Sequence, residues 1–225
     1  MPKAIVLLSG GLDSATCLAY AKVRGFELYA LTFSYGQRHK SELNASRRIA
    51  QHFQVVEQKI VEMNYLSEIK GSALTDKGQS IPRPSQTNQI PSTYVPARNT
   101  IFLSHALAWA EVLKCQHIFI GCSQVDYSGY PDCRKPFIET FNILANQATK
   151  LASEGYPIQI HAPLIDKSKA ETIELGHELG VDYKMTVSCY QANAQGLACG
   201  QCESCYLRQK GFQEANLADE TRYVH

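Results

Sequence analysis

The chain has 225 residues, of which 44% are hydrophobic and 19% charged, and its 22 basic and 21 acidic side chains leave a net charge of +1. This apolar content excludes a disordered or low-complexity chain, and the near-neutral charge argues against a protein whose main task is to coat nucleic acid. No run approaches the roughly 18 apolar residues of a membrane span, and residues 1–8 lack the features of a signal peptide, so we expect a cytoplasmic protein without a membrane segment.

Apolar runs of strand length alternate with helical patterns along the chain. The predicted strands cover residues 3–8, 27–33, 55–61, 117–121 and 158–161. The predicted helices cover residues 13–24, 40–53, 98–113, 135–154 and 169–179. This alternation predicts an α/β fold, with a mainly parallel, doubly wound sheet that is covered by helices on both faces.

Two segments interrupt the alternation. Residues 64–95 are rich in proline and poor in apolar positions, and their length indicates a lid or a subunit contact rather than a linker. Residues from 188 onward carry glycines, polar residues and four of the eight cysteines. We therefore expect a catalytic domain over residues 1–184 and a small tail over residues 185–225.

A glycine-containing loop, Ser9-Gly10-Gly11-Leu12-Asp13-Ser14, follows the first predicted strand and opens the first predicted helix. Such a loop leaves backbone N–H groups at the positive end of a helix, and adjacent glycines let a phosphate approach the backbone. The serines add hydroxyl donors, and Asp13 is placed to hold a magnesium ion or to orient a nucleotide. The loop has neither the Walker A nor the dinucleotide-binding spacing, and an ordinary strand-to-helix turn is the alternative for two glycines alone.

The tail cysteines, Cys189, Cys199, Cys202 and Cys205, fall within 17 residues. In a reducing compartment this spacing indicates a metal site rather than disulfides. Four thiolates complete a tetrahedral zinc site and leave no open position, which favours a structural zinc that folds the tail. An iron–sulfur cluster and a redox pair are the alternatives.

A third polar set falls on loops at the carboxyl ends of predicted strands, where ligands bind in open parallel sheets. Arg98 and Asn99 stand at the start of a predicted helix, which favours an anion. Residues 126–134, after the apolar strand that ends at Gly121, contain two aspartates, two tyrosines, a serine and an arginine. These side chains suit a flat, hydrogen-bonding heterocycle, with a solvated turn as the alternative.

The glycine loop is similar to the signature of the PP-loop ATP pyrophosphatases. Further motifs narrow the resemblance: Tyr35-Gly36-Gln37-Arg38-His39, Val95-Pro96-x-Arg98-Asn99, residues 126–134, Lys169-Ala170-Glu171 and the four tail cysteines. In this order, and over essentially the whole chain, they resemble the 7-cyano-7-deazaguanine synthase (QueC) family. The resemblance implies an ATP-dependent carbon–nitrogen ligase of queuosine biosynthesis, which converts 7-carboxy-7-deazaguanine and ammonia into 7-cyano-7-deazaguanine through adenylated acid and amide intermediates.

The resemblance also implies roles for individual residues. The expected ATP-binding residues are Leu8, Ser9, Gly10, Gly11, Leu12, Asp13, Ser14, Thr32 and Phe33. The expected catalytic residues are Asp13, Arg98 and Lys169. The expected substrate-binding residues are Tyr35, Gln37, Arg98, Asn99, Asp126, Tyr127, Ser128, Asp132 and Arg134. The expected cofactors are ATP, Mg²⁺ and one structural Zn²⁺ held by the four cysteines, in a homodimer.

Three other functions remain as alternatives. A PP-loop enzyme that transfers sulfur to tRNA would need an RNA-binding domain and a catalytic cysteine. An amidotransferase of the NAD or GMP synthetase kind would carry a glutaminase domain, so we expect free ammonia as the nitrogen donor. A zinc-containing nucleic-acid-binding regulator would need a basic face around the cysteines, and the sequence there alternates acidic and basic residues.

Overall fold

The structure, a computed structural model, describes residues 1–38, 40–76, 78–83, 90–123 and 129–224. Five parallel strands form one sheet in the order β3-β2-β1-β4-β5. The strands are β1 (Lys3–Leu7), β2 (Glu27–Ser34), β3 (Glu57–Glu62), β4 (His117–Phe119) and β5 (Gln159–His161). The helices are α1 (Leu12–Val23), α2 (Ser41–His52), α3 (Tyr65–Glu68), α4 (Arg98–Leu113), α5 (Lys135–Ala148), α6 (Lys150–Ser153), α7 (Lys169–Glu178) and α8 (Glu203–Glu214). The predicted doubly wound α/β fold is confirmed.

The central strand β1 is buried on both faces, which explains its continuous apolar sequence. Ile5 and Leu7 join a core with residues of α4 and α5. Ala4 and Val6 join a second core with residues of α1, α2, α7 and α8 on the opposite face. The sheet is therefore the middle layer of three.

The strand order reverses at β1, and this reversal positions the site. Leu7 at the end of β1 pairs with Leu31 of β2, and Val6 pairs with Phe119 of β4 on the other side. The chain then builds β2 and β3 on one side of β1 and β4 and β5 on the other. A crevice opens beyond the carboxyl ends of the strands at such a reversal.

The helices differ from the prediction at three places. The helix predicted over residues 135–154 is two helices, because Thr149 adopts an extended conformation (φ −113°, ψ 143°) and its hydroxyl caps α6 by accepting from the Ala152 N–H. The tail contains the regular helix α8, which the sequence pattern did not predict, and α3 was also missed.

The described part of the proline-rich segment packs against the end of the sheet. Leu66 and Leu74 are buried in the core beside α4. The Arg38 guanidinium holds the segment by donating to the carbonyl oxygens of Ala73 and Asp76, each at 2.9 Å. A role as lid or subunit contact stays a prediction. Within the described ranges, none of the helices combines the length and apolar character that a bilayer span requires.

Candidate active site

A cleft opens at the carboxyl edge of the sheet, beyond β1, β2 and β4. It brings together most of the predicted ATP-binding, catalytic and substrate-binding residues from segments far apart in the sequence. Those that line the cleft are Leu8, Ser9, Gly11, Leu12, Asp13, Ser14, Phe33, Tyr35, Gln37, Arg98, Asn99 and Lys169. One cleft therefore collects the glycine loop, the ion pair of Asp13 and Lys169, the Arg98 guanidinium and an aromatic wall.

Serine hydroxyls occupy the N–H groups of the glycine loop. The Gly11 N–H donates to Ser9 Oγ and the Gly10 N–H to Ser14 Oγ, both at 3.2 Å. The Leu12 N–H donates to Ser188 Oγ, also at 3.2 Å. Gly10 has φ +96°, and a Cβ there would overlap the Glu42 carbonyl oxygen, so the turn needs glycine. The loop thus places serine hydroxyls at a helix N-terminus, where the helix dipole favours phosphate oxygens.

Asp13 and Lys169 form an ion pair at the cleft, with Lys169 Nζ 2.6 Å from Asp13 Oδ1. Asp13 lies in the first turn of α1, and Lys169 is the first residue of α7. A reciprocal cap between Ser168 and Glu171 fixes the start of α7. Because the Lys169 side chain is only 7% exposed, its charge lies where phosphate charge would be poorly screened by water.

Arg98 faces an aromatic wall on the side of the cleft formed by β2 and α4. The rings of Phe33 and Phe102 stack at 3.8 Å, and the Arg98 guanidinium lies 6.0 Å from the Tyr35 ring centroid. Ala97, which precedes Arg98, has φ +53°, a left-handed conformation that is rare for a residue with a Cβ. Such strain is found where a local conformation is needed to orient a side chain.

Glu42 is a cleft residue that the sequence reasoning missed. It lies in the first turn of α2, half-buried, and lines the cleft with Tyr35 and Arg98. Burial raises the pKa of Glu42 to about 7, against the opposing effect of the Arg98 charge. Its position at the start of an amphipathic helix is also that of a common N-terminal carboxylate, so no local sequence signal distinguished it.

Asn99 and Asp132, both predicted to bind substrate, bind each other. The Asn99 N–H donates to Asp132 Oδ2 and the Asn99 amide donates to the Asp132 carbonyl oxygen, both at 2.9 Å. Both residues are buried, and the Asp132 carboxylate caps the start of α4. The structure thus gives Asp132 a structural role and does not place it among the residues that line the cleft.

The remaining predicted residues are not all in the cleft. The Thr32 hydroxyl donates to the Leu8 carbonyl oxygen at 2.7 Å, and the Gln37 side chain bridges Tyr35 N–H and the Phe33 carbonyl oxygen, which closes the turn after β2. Arg134 is exposed at the N-terminus of α5, outside the cleft lining. Asp126, Tyr127 and Ser128 lie outside the described residues.

Two further cysteines line the cleft as neutral thiols. Burial raises the pKa of Cys133 to about 12, although the Arg98 charge opposes the shift. Burial likewise raises the pKa of Cys122 well above its usual range. Protonated thiols are poor nucleophiles, so these two residues do not offer the reactive cysteine that a sulfur-transfer enzyme would need.

The four tail cysteines converge on one point. Their sulfur atoms, on Cys189, Cys199, Cys202 and Cys205, all lie within 4.8 Å of one another. A tetrahedral zinc ion with bonds of about 2.3 Å would hold thiolates about 3.8 Å apart, close to this spacing. Backbone N–H groups of Gln191 and residue 199 donate to Cys189 Sγ, each at 3.2 Å, which favours a thiolate. The cluster could hold a metal ion, and the compact spacing fits one ion better than a multi-iron cluster, whose irons would separate the sulfur atoms.

The tail packs directly on the glycine loop. The Val187 N–H donates to the Gly10 carbonyl oxygen at 2.9 Å, next to the bond between Leu12 and Ser188. Arg208 of α8 also reaches the cleft lining but is buried, with Nε 3.1 Å from Asp219 Oδ1 and Nη1 2.7 Å from Thr186 Oγ1. The cysteine-rich tail therefore forms part of the wall of the cleft.

A protein-family model described as "Queuosine biosynthesis protein QueC" matches residues 3–216. The chain belongs to the QueC family. A 7-cyano-7-deazaguanine synthase from Coxiella burnetii (strain RSA 331) is 59% identical over 100% of this chain and 99% of that protein. A protein of the same name from Azoarcus sp. (strain BH72) is 58% identical over 99% of this chain and 97% of its own length. These relatives confirm the family and the class of ATP-using ligase that the sequence motifs predicted.

Solved structures with low sequence identity share the fold. A 4-thiouridine synthetase in complex with RNA and bound ATP superimposes with a TM-score of 0.52 and 18% identity, covering 96% of this chain and 50% of that chain. A predicted subunit of a tRNA methyltransferase from Methanocaldococcus jannaschii gives a TM-score of 0.51 and 17% identity, covering 79% of this chain and 75% of that one. These likenesses concern the fold alone.

Proposed function

We propose that this QueC-family protein uses ATP to convert 7-carboxy-7-deazaguanine and ammonia into 7-cyano-7-deazaguanine for queuosine biosynthesis. The observation that carries the proposal is the cleft itself, which is lined by the glycine loop, the Asp13–Lys169 pair, Arg98 and an aromatic wall. The family supplies the identity of the substrate, and the cleft supplies groups for each part of the reaction.

The proposed reaction activates one carbon atom twice. A carboxylate oxygen attacks the α-phosphorus of ATP and pyrophosphate leaves, which gives an acyl-adenylate. Ammonia then displaces AMP, losing a proton, and an amide forms. The amide oxygen attacks the α-phosphorus of a second ATP and a second pyrophosphate leaves, which gives an adenylated amide. Loss of AMP and the two remaining N–H protons then leaves the nitrile. Because no protein nucleophile is required, positioning and charge neutralisation supply the catalysis.

The PP-loop residues would bind the pyrophosphate that leaves. Ser9, Gly10, Gly11 and Ser14 supply hydroxyls and N–H groups, with Leu8 and Leu12 flanking them. We propose that Lys169 neutralises phosphate charge as it develops. We assign Thr32 and Phe33, at the end of β2, to the adenosine.

Asp13 fits a magnesium ion, since its carboxylate lies at the cleft beside the loop and an oxygen ligand is what Mg²⁺ prefers. Bound Mg²⁺ would neutralise charge on the phosphates of ATP.

The aromatic side of the cleft would bind the deazaguanine. We propose that Arg98 binds the substrate carboxylate or the α-phosphate, as its guanidinium suits both planar anions. Tyr35, Gln37 and Asn99 line the same part of the cleft. Asp126, Tyr127, Ser128, Asp132 and Arg134 stay predicted substrate contacts; for Asp132 the capping of α4 is an alternative role.

We propose that the four-cysteine cluster holds one structural Zn²⁺, and that residues 1–184 and 185–225 are the catalytic domain and the tail. Metal analysis that finds about one zinc per chain, without the visible absorbance of iron–sulfur clusters, would support this. We also propose a homodimer, suggested by residues 64–95 and by the family, which sedimentation tests. A cytoplasmic location follows from the proposed biosynthetic role, and fractionation of cells tests it.

The enzyme assay tests the whole proposal. Purified protein with 7-carboxy-7-deazaguanine, ammonium and Mg-ATP should release two AMP per nitrile, with a product lighter than the acid by the difference between a carboxylic acid and a nitrile group. A matched reaction with guanine, which lacks the carboxylate, should release none. Absence of AMP release with the acid would refute the proposal.

A further inference from the structure

A serine from the tail completes the set of hydroxyls around the glycine loop. Ser188 Oγ accepts from the Leu12 N–H at the N-terminus of α1. The hydroxyls of Ser188 and Ser9 both lie beside Gly11: a Cβ built on Gly11 would be 3.5 Å from Ser9 Oγ and 3.6 Å from Ser188 Oγ. Both hydroxyls therefore border the same space next to the loop.

The three hydroxyls differ in where their protons go. Ser9 donates its proton to Ser14 Oγ at 3.0 Å, and Ser14 donates to the Gly11 carbonyl oxygen at 3.0 Å. Ser188 Oγ only accepts, and among the described residues its proton has no acceptor. The Ser188 hydroxyl, which lines the cleft, is therefore the one of the three with a proton to give to a ligand.

This donor is polarised by the helix behind it. An N–H at the N-terminus of a helix carries part of the positive end of the helix dipole, and a hydroxyl that accepts from it becomes a stronger donor. A phosphate oxygen in front of the loop would accept from Ser188. This hydrogen bond would be strengthened by the positive end of the α1 dipole, because that dipole polarises the hydroxyl.

The tail holds Ser188 in this position from both sides. The Ser204 hydroxyl of α8 donates to the Ser188 carbonyl oxygen at 2.6 Å, and the preceding residue, Val187, donates to the Gly10 carbonyl oxygen at 2.9 Å. The next residue is Cys189, a member of the four-cysteine cluster, and Ser204 lies between two other members, Cys202 and Cys205. The cluster thus fixes both ends of the Ser204–Ser188 bond.

We infer that Ser188 is a phosphate-binding residue that the cysteine-rich tail contributes to the ATP site, and that the four-cysteine cluster holds it there. The cluster then acts on ATP binding as well as on folding of the tail. The inference rests on ATP binding alone, so failure of the nitrile assay would leave it intact.

Binding of Mg-pyrophosphate, and of the ATP analogue with a methylene bridge between the α- and β-phosphates, tests the role of Ser188. Ser188→Ala should weaken both affinities by about 10-fold or more, as expected for a hydrogen bond to a charged group. Ser104→Ala, which removes a hydroxyl from an exposed turn of α4, is the matched control and should change neither. Ser188→Thr keeps the hydroxyl and should restore most of the affinity. Equal affinities for Ser188→Ala and Ser104→Ala would overturn the inference.

Metal removal tests the link to the cluster. Removal of the metal from the four-cysteine cluster by chelation should weaken pyrophosphate binding to the unmodified protein by about as much as Ser188→Ala does. In the Ser188→Ala variant, the same removal should lower the affinity little further. Metal content, measured before chelation, should be the same in both proteins. An equal further loss in both after chelation would show that the metal acts independently of Ser188 and would overturn this part. If Ser188→Ala lowers the metal content, a second variant is needed. Ser204→Ala keeps the Ser188 hydroxyl but removes the hydrogen bond to the Ser188 carbonyl oxygen, and it should still weaken pyrophosphate binding. An unchanged affinity of Ser204→Ala for pyrophosphate would also overturn the link to the cluster.

Discussion

Replacing Lys169 by Met tests the ion pair between Asp13 and Lys169 in the cleft. The substitution keeps an apolar stem, which matters because the Lys169 side chain packs against Gly211 of α8, where a Cβ would overlap it. It removes the ammonium that lies 2.6 Å from Asp13 Oδ1. The change thus separates the charge of Lys169 from its packing.

The expected magnitudes follow from burial. Exposed ion pairs contribute about 0–1 kcal/mol, whereas removing one partner of a fully buried pair costs about 3–5 kcal/mol. The Lys169 side chain is 7% exposed and that of Asp13 21%, so we expect a loss of about 1–3 kcal/mol in the free energy of unfolding. If Lys169 also neutralises phosphate charge in the transition state, kcat should fall by about 10²- to 10³-fold.

Urea unfolding and pyrophosphate release measure the two effects separately. Lys150→Met is the matched control, because Lys150 pairs with Glu154 at 3.5 Å but its side chain is 81% exposed, and the loss there should stay below about 0.5 kcal/mol with full activity. A stable Lys169→Met variant that turns over within about threefold of the unmodified rate would refute the catalytic role. A variant as stable as Lys150→Met would refute the energetic argument.

The remaining predictions concern the backbone and a carboxyl group. Gly10→Ala should destabilise the protein by at least about 2 kcal/mol, since it adds overlap with the Glu42 carbonyl oxygen to the strain of φ +96°. Gly25→Ala is the control: Gly25 has φ +79°, but a Cβ built there meets no atom within 4 Å beyond its chain neighbours. Its cost in the same urea titration should be only about 1 kcal/mol. Because the folded protein holds the pKa of Glu42 near 7, above its unfolded value, the native state binds the extra proton and Glu42 lowers stability as pH rises from about 4.5 to 7. Glu42→Gln should therefore stabilise the protein more at pH 7.5 than at pH 5. An equal change in the free energy of unfolding at the two pH values would contradict the raised pKa of Glu42.

The sequence predicts the parts of the fold whose side chains alternate with a clear period. Strands β1, β2 and β4 were predicted from apolar runs between turn residues. Strands β3 and β5, with the sequences EQKIVE and QIH, hold few apolar residues and were predicted from the alternation of elements along the chain. The glycine loop was predicted because the spacing of its residues matches a known signature. Helix α8 was missed because the residues it buries are mostly small or polar, among them Ser204, Arg208 and Gly211, so its sequence lacks the apolar stripe that identifies a helix.

Contacts between segments far apart in the chain limit how much of the candidate site can be predicted from the sequence. Nothing near Asp132 in the sequence shows that its carboxylate accepts from the Asn99 N–H in α4, 33 residues earlier in the chain. Its residue type and position favoured substrate binding, which stays a prediction. Glu42 was missed for the reverse reason, as a carboxylate in the first turn of a helix is common on protein surfaces. Which polar residues face the cleft depends on tertiary packing that the local pattern does not record.

The packing of the tail bears on why an ATP site would include a metal cluster. The buried apolar residues around the cysteines are mostly small, among them Ala45, Val187, Ala192 and Ala198, with Ile81, Tyr190 and Tyr223 packed against them. A core of small residues gives a segment limited stability of its own. A metal ion bound by four thiolates would supply the missing free energy of folding without enlarging the core. Small residues around the cluster also let the backbone at Val187 approach within hydrogen-bond distance of Gly10. A tail built of small side chains would therefore gain stability from a metal ion and would also lie close enough to the loop for Ser188 to contact a bound phosphate.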